Sequence, residues 1–287
     1  VTAIPDSPDN QNEAHFMSGP DLSGKYANVV PKPASSILLV RDGDAGLEVF
    51  MVTRHHKIDF ASGAMVFPGG KVDPADSDED ARAACSDSDD MDDRELAFRV
   101  SAIREAFEET GVLLATDSGG SPLTTERCRS MKEQYALAVE KGEITIGALA
   151  RKEGLQFDPA ALTPFAWWIT PAVLAKRFDT PFYIVEIPHG QRELAEHDGG
   201  EAVESVWIDP SEAVRLADAA KVTMVFATRL NLIKLAKASS VAEAIAQAAS
   251  SEPVQVTPQV YAEDGRRKID IPVEAGFGGP TFDVGKA

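Results

Sequence analysis

The sequence predicts an α+β fold, or a layered α/β/α one, and not an alternating βαβ series. Three observations predict it. Short apolar runs bounded by turn residues recur along the chain, as strands do. Helical periodicity appears in separate, longer stretches. The two patterns come in irregular order, with no internal repeat. At 287 residues and 44% hydrophobic, the chain is long enough to bury a core without disulfides or a structural metal.

Residues 1–33 are polar and carry Pro5, Pro8, Pro20, Pro31 and Pro33, the composition of a disordered or extended arm. Residues 34–250 read as one domain. Its first strands are 37–40 and 47–52, joined through Arg-Asp-Gly-Asp-Ala-Gly as a hairpin. A third strand at 65–67 stops at Pro68-Gly69-Gly70. Residues 73–93 hold ten acidic side chains against Arg82 alone, a density that predicts a solvated loop. A helix follows over 94–110, with Leu96, Val100, Ile103 and Phe107 on one face and Gly111 as its stop. Residues 120–163 read as a helical insertion, its best helix being 127–140 before Gly142. Strands are expected at 165–170, 182–187 and 203–208, then a helix capped by Ser211 and an amphipathic helix over 223–238. Residues 251–287 form a tail, with alternating runs about Asp264-Gly265 that predict a second hairpin.

Charge narrows the function. With 46 acidic and 28 basic residues the net charge is -18, the wrong sign for a nucleic-acid backbone or an anionic membrane surface. No apolar run approaches the length of a membrane span, and the first residues carry neither the basic start nor the apolar core of a signal peptide. Cys85 and Cys128 are too few for a disulfide scaffold, so a reduced, cytoplasmic setting is expected.

The chemistry concentrates in Arg104-Glu-Ala-Phe-Glu-Glu-Thr-Gly-Val112. On a helix Glu105, Glu108 and Glu109 share one face, where they repel one another. They also sit near the helix C-terminus, where the dipole favours cations. Arg104 offsets Glu108 at i+4 and leaves two charges over. Clustered carboxylate oxygens are what a hard divalent cation binds, Mg²⁺ keeping water and substrate phosphates in the rest of its shell. A solvated glutamate-rich face is the other reading of the same run.

This stretch resembles the second half of the Nudix box, G-x5-E-x7-R-E-U-x-E-E-x-G-U, where U is bulky and apolar; Ala106 is a small U. Gly70, in Phe67-Pro-Gly-Gly70, stands for the box glycine. An unbroken box places its Arg 14 positions after that glycine; here Gly70 to Arg104 spans 34. The acidic segment accounts for the excess, and Glu95 only approximates the box's first glutamate. Coenzyme A diphosphatases of the Nudix-motif-nineteen type carry an insertion at this point. Residues 95–115, 65–76, Trp167-Trp-Ile-Thr-Pro171 and Arg177-Phe-Asp-Thr180 are similar to theirs. A shorter coenzyme A signature is half met: residues 63–70 fit, but Asp59 stands where an Arg belongs.

The resemblance implies a Nudix-type α/β/α sandwich of mixed sheet and a hydrolase that cuts a nucleoside diphosphate linked to another group. Coenzyme A or acyl-coenzyme A, split to 3′,5′-ADP and (acyl-)4′-phosphopantetheine, is the first expectation. ADP-ribose or a dinucleotide such as NADH is the alternative, and a silent Nudix-fold binding module is the alternative of another class. By the same resemblance Glu105, Glu108 and Glu109, with the Gly69 carbonyl, would ligate Mg²⁺ or Mn²⁺, and Arg104 would orient the glutamates. Arg54 and Gly70, with Glu201 or Glu204 as a further carboxylate, would meet the substrate. A homodimer is the assembly allowed for. Trp167 and Trp168 point to opposite faces of a strand, so at most one faces a ligand. His55, His56, His189 and His197 share no ligand spacing. The helical insertion at 120–163 is expected to wall the substrate's long arm.

Overall fold

The computed structural model describes residues 21–55, 61, 63–197 and 202–286. Short continuous apolar runs make β1 (Lys32–Gly43) and β2 (Gly46–Arg54), which pair as an antiparallel hairpin. β3 (Ala64–Val66) and β4 (Gly69–Lys71) follow, then a 3₁₀ turn over Pro74–Ser77, α1 (Glu79–Ala83) and the long α2 (Asp93–Thr110). β5 (Ala115–Asp117), α3 (Thr125–Glu140), α4 (Ile146–Glu153) and β6 (Leu155–Phe157) fill the predicted insertion. β7 (Thr163–Ile169), β8 (Phe178–Glu186), β9 (Ala202–Ile208), α5 (Pro210–Asp218), β10 (Thr223–Met224), α6 (Phe226–Leu235) and α7 (Val241–Ala249) complete the central region. The tail holds β11 (Gln255–Val256), β12 (Gln259–Glu263), β13 (Arg266–Asp270) and β14 (Thr281–Lys286).

One mixed sheet of nine strands, counted among the described residues, organises the molecule in the order β10-β3-β2-β1-β8-β7-β11. β4 pairs with β1 and β9 with β2. β1 runs parallel to β8 and antiparallel to β2. Strand residues point alternately to the two faces, and β1 is apolar on both. Ile37 and Leu39 enter a core built with α2, α3 and α4; Leu38 and Val40 enter a second core built with α5, α6, α7 and the tail. Helices on both faces give the α+β sandwich that the sequence predicts.

The acidic segment is not simply a solvated loop. Its carboxylates start helices: Asp78 caps α1 and Asp92 caps α2, each accepting a backbone N–H, with Glu79, Asp80, Asp93 and Glu95 in the first turns. Negative charge at a helix N-terminus is stabilising, so density that would repel in a coil is absorbed. α1 buries Ala81 against α4, where Gly147 comes so close that an added Cβ would lie 2.3 Å from the Ala81 nitrogen.

Other expectations shift at the edges. Residues 21–31 are not a loose arm: Asp21 N–H donates to the Val173 carbonyl (3.1 Å), and the Val29 carbonyl accepts from Arg177 (2.7 Å). Residues 1–20 lie outside the described residues. Asp209, not Ser211, caps α5, with Pro210 in its first turn. The helix expected over 223–238 is shorter, because Thr223 and Met224 pair with β3 instead. In the tail β12, β13 and β14 form a separate sheet about Asp264-Gly265, and Ile269, Ile271, Phe277 and Val284 join the second core.

Candidate active site

The site starts where β4 crosses α2. Gly69 (φ +153°) admits no Cβ, which would lie 2.3 Å from the Ser35 carbonyl oxygen, and at Gly70 a Cβ would lie 2.5 Å from a carboxylate oxygen of Glu105 and push that carboxylate aside. That close approach sets the Gly69–Lys71 backbone against the acidic helix face. Gly69 N–H donates to Glu109 Oε2 at 3.0 Å. The Pro68 carbonyl is held by Ser36 Oγ (3.0 Å) and Ile37 N–H (2.9 Å), which fixes the turn to β1.

Arg104 is the hub. Nη1 donates to Glu105 Oε1 (2.9 Å) and to both oxygens of Glu108 (3.0 Å each). Nε and Nη2 grip Asp76 through both its oxygens, at 2.8 and 3.0 Å, and Nη2 also reaches the Lys71 carbonyl at 2.8 Å. Asp76 is fully buried and also accepts from Asp73 N–H at 2.8 Å. Burial works against the guanidinium's charge, but Asp76, Glu105 and Glu108 outweigh it and hold Arg104 protonated. Burial lifts the carboxyls of Glu105 and Glu108 above the ordinary range against the pull of Arg104, that of Glu105 to about 7.

Among the described residues no three carboxylate, imidazole or thiol groups stand as a ready-made metal cage, and Arg104 holds the space between Glu105 and Glu108. The donor chemistry nevertheless fits a hard divalent cation. Three carboxylates and the Gly69 carbonyl offer only oxygen, the set that Mg²⁺ or Mn²⁺ completes with water and phosphate.

These residues line a cavity of about 880 Å³. Ligand pockets run from about 300 to 1,000 Å³, so this one has room for much more than a diphosphate. Arg54, Gly69, Gly70, Arg104, Glu105, Glu108 and Glu109 all face it, and so does Glu140 of α3. The opposite walls come from residues 168–178, from 224–228 and from the tail. Arg177 ties the 168–178 wall to the segment before β1, donating to the Thr170 carbonyl (2.9 Å) and to the Val29 carbonyl (2.7 Å).

The NUDT19 Nudix domain family matches residues 81–227, just over half of the chain. This chain belongs to the Nudix family, in its NUDT19 branch. It is 28% identical over 218 residues to the acyl-coenzyme A diphosphatase NUDT19 of Gallus gallus, covering 60% of this chain and 56% of that protein. The human NUDT19 acyl-coenzyme A diphosphatase is 28% identical over 215 residues, 58% of this chain and 55% of its own. The chain thus matches little more than half the length of these curated relatives. Among solved structures, a NUDIX hydrolase from Alicyclobacillus acidocaldarius is 27% identical with a TM-score of 0.61, over 76% of this chain and 97% of that one.

Counted along the Nudix box, the first acidic position lies six residues beyond Gly70. It is Asp76, whereas Glu95 is only a near miss for that position. Glu95 instead pairs with Arg99 (2.8 Å), on the helix turn before the site. The insertion therefore follows the box's first acid and precedes its arginine, and the fold brings the two together. Asp76 was findable by counting from Gly70, but an aspartate in an acidic run carries no mark of its own. Glu204 is exposed on β9 and does not line the cavity; Glu201, Asp59 and His56 lie outside the described residues. The tryptophans do point to opposite faces. Trp167 Nε1 donates to Asp179 (2.6 Å) in the first core, whereas Trp168 Nε1 donates to Asn231 (3.1 Å) in the second and its ring reaches the cavity. Of residues 120–163 only Glu140 lines the cavity, so the helical insertion is not the expected wall. Its apolar faces (Cys128, Met131, Tyr135, Val139) are spent on the first core.

Proposed function

We propose that this chain is a divalent-metal-dependent diphosphatase acting on coenzyme A or acyl-coenzyme A, giving 3′,5′-ADP and (acyl-)4′-phosphopantetheine. One observation carries the reading: the acidic face of α2 opens, beside Gly69 and Gly70, into one large cavity whose remaining walls are mostly apolar. A substrate with a diphosphate and a long arm matches that combination, and the NUDT19 relatives are named acyl-coenzyme A diphosphatases.

Glu105, Glu108, Glu109 and the Gly69 carbonyl would hold Mg²⁺ or Mn²⁺. Such ions neutralise a diphosphate and make a bound water more acidic. Arg104, anchored through Asp76, sets the direction of Glu105 and Glu108 and limits their repulsion when no ion is near. Gly69 N–H orients Glu109. Arg54 faces the cavity as a cation for a phosphate oxygen.

The test compares kcat/KM for coenzyme A, acyl-coenzyme A, ADP-ribose and NADH with Mg²⁺ or Mn²⁺. A coenzyme A compound should lead, and labelled water should place its oxygen in one phosphate product. A lead by ADP-ribose or NADH would overturn the substrate and keep the hydrolase. Binding without hydrolysis would overturn the enzyme reading.

A further inference from the structure

The tail sheet stands outside the residues matched by the family, yet it closes the cavity. The glutamates stand on α2, against the sheet face that carries Ile37 and Leu39. Ile269 of β13 and Val284 of β14 belong to the core of the opposite face, with Trp168, Met224 and Phe226. All five line the same cavity as the glutamates. The cavity therefore passes from the acidic face, around the start of β1, to an apolar end whose last wall is the tail.

On the reading of the function given above, we propose that this end takes the acyl chain of an acylated substrate, and that Ile269 and Val284 set the chain length it accepts. The five side chains present apolar surface, and the one ring N–H among them is already given to Asn231. A purine placed against these five would find no polar partner among them, and each ring nitrogen or amino group left unsatisfied costs about 1–3 kcal/mol. A saturated chain has no such groups and gains from every methylene it buries. The acyl group is also the part of the substrate that lies farthest along the arm from the diphosphate, as the tail wall lies on the face away from the glutamates.

The experiment measures kcat/KM for free coenzyme A and for acyl-coenzymes A of increasing chain length, in the full chain and in Val284→Phe and Ile269→Ala. Val284→Phe fills the end of the cavity and should lower the ratio of long-chain to free coenzyme A roughly tenfold, the discrimination a hydrophobic pocket achieves per methylene-sized change. Ile269→Ala enlarges it and should move the preferred length upward. A melting curve establishes that each variant folds; should Val284→Phe fail to, the Ile269→Ala profile decides. A chain-length profile that Ile269→Ala leaves unmoved overturns the inference while the substrate reading stands. No hydrolysis of free or acylated coenzyme A by the unaltered chain overturns the substrate reading, and this inference with it.

Discussion

Asp76 joins the acidic segment to the chemistry of α2, and most of what can be tested at the scale of single residues runs through it. It is fully buried and its partner Arg104 is nearly so. Its removal would strip Nε and Nη2 of Arg104 of their buried carboxylate, a charge-assisted contact worth about 1.5–3 kcal/mol, while Glu105 and Glu108 still balance the guanidinium. Asp76→Ala should therefore lower the urea midpoint strongly, whereas alanine at the exposed Asp89 should not move it. Glu109→Gln should cut turnover at least ~100-fold, about 2.7 kcal/mol of transition-state stabilisation, and leave the melting temperature in chelator unchanged or higher. Full activity would remove Glu109 from the site. The Glu105 carboxyl adds a pH signature. Its folded value, pushed to about 7 by burial, lies above the 4.5 of an ordinary glutamate. The folded state then holds this proton more tightly than the unfolded one, so the contribution is full below 4.5 and is lost as pH rises towards 7. In chelator, the stability gap between the chain and Glu105→Gln should open over that window, with Glu105→Gln the more stable at its upper end. Paired denaturation curves at pH 5 and pH 7.5 read it. The three glutamates stand out in the sequence because their spacing opposes helix stability and because they fit the second half of the Nudix box. Asp76 does not, because its significance lies in a contact 28 residues away.

Among elements, strands and long helices were legible and short helices inside charged sequence were not. The β1–β2 hairpin announces itself by two short apolar runs and an Asp-Gly signal, and α2 by its apolar stripe. α1 has five residues in a run of acids, and composition argues for a coil there. What composition cannot show is that Asp73, Asp78 and Asp92 each stand at the start of a helical turn and spend their charge on backbone N–H groups. The segment is thereby structural, and replacing 78–92 with a Gly/Ser linker should lower stability, because Ala81, Ala84 and the caps go with it. A sharper probe is Gly147→Ala. The new methyl would meet the backbone of α1 at 2.3 Å, and forcing extra volume into such packing costs about 1–3 kcal/mol. Denaturation should show that loss while metal affinity, measured by calorimetry, stays put. An unchanged urea midpoint would mean that α1 is only lightly docked.

At the scale of the molecule, sequence reading sees the tail as an appendage, because its hairpin is self-contained and its composition unremarkable. The fold uses it as a wall. β11 extends the main sheet beside β7, Phe277 packs on Trp168 with ring centroids 4.9 Å apart, and Phe282 meets Phe226 edge-on at 5.4 Å. Those contacts tie the tail to the strand and helix that line the cavity, so the two should unfold together. In urea, tryptophan fluorescence and far-ultraviolet circular dichroism should trace one coincident transition. Phe277→Ala removes a ring from this junction and should cost about 3–5 kcal/mol, the usual figure for a buried aromatic, without splitting the transition. Ending the chain at Ser250 should expose Trp168 and Phe226 to water and lower the midpoint further. Two separated transitions in the full chain, or a shortened chain that melts where the full one does, would show the tail to be an independent unit. The acyl-binding wall proposed for it would then rest on a surface the rest of the molecule does not hold in place.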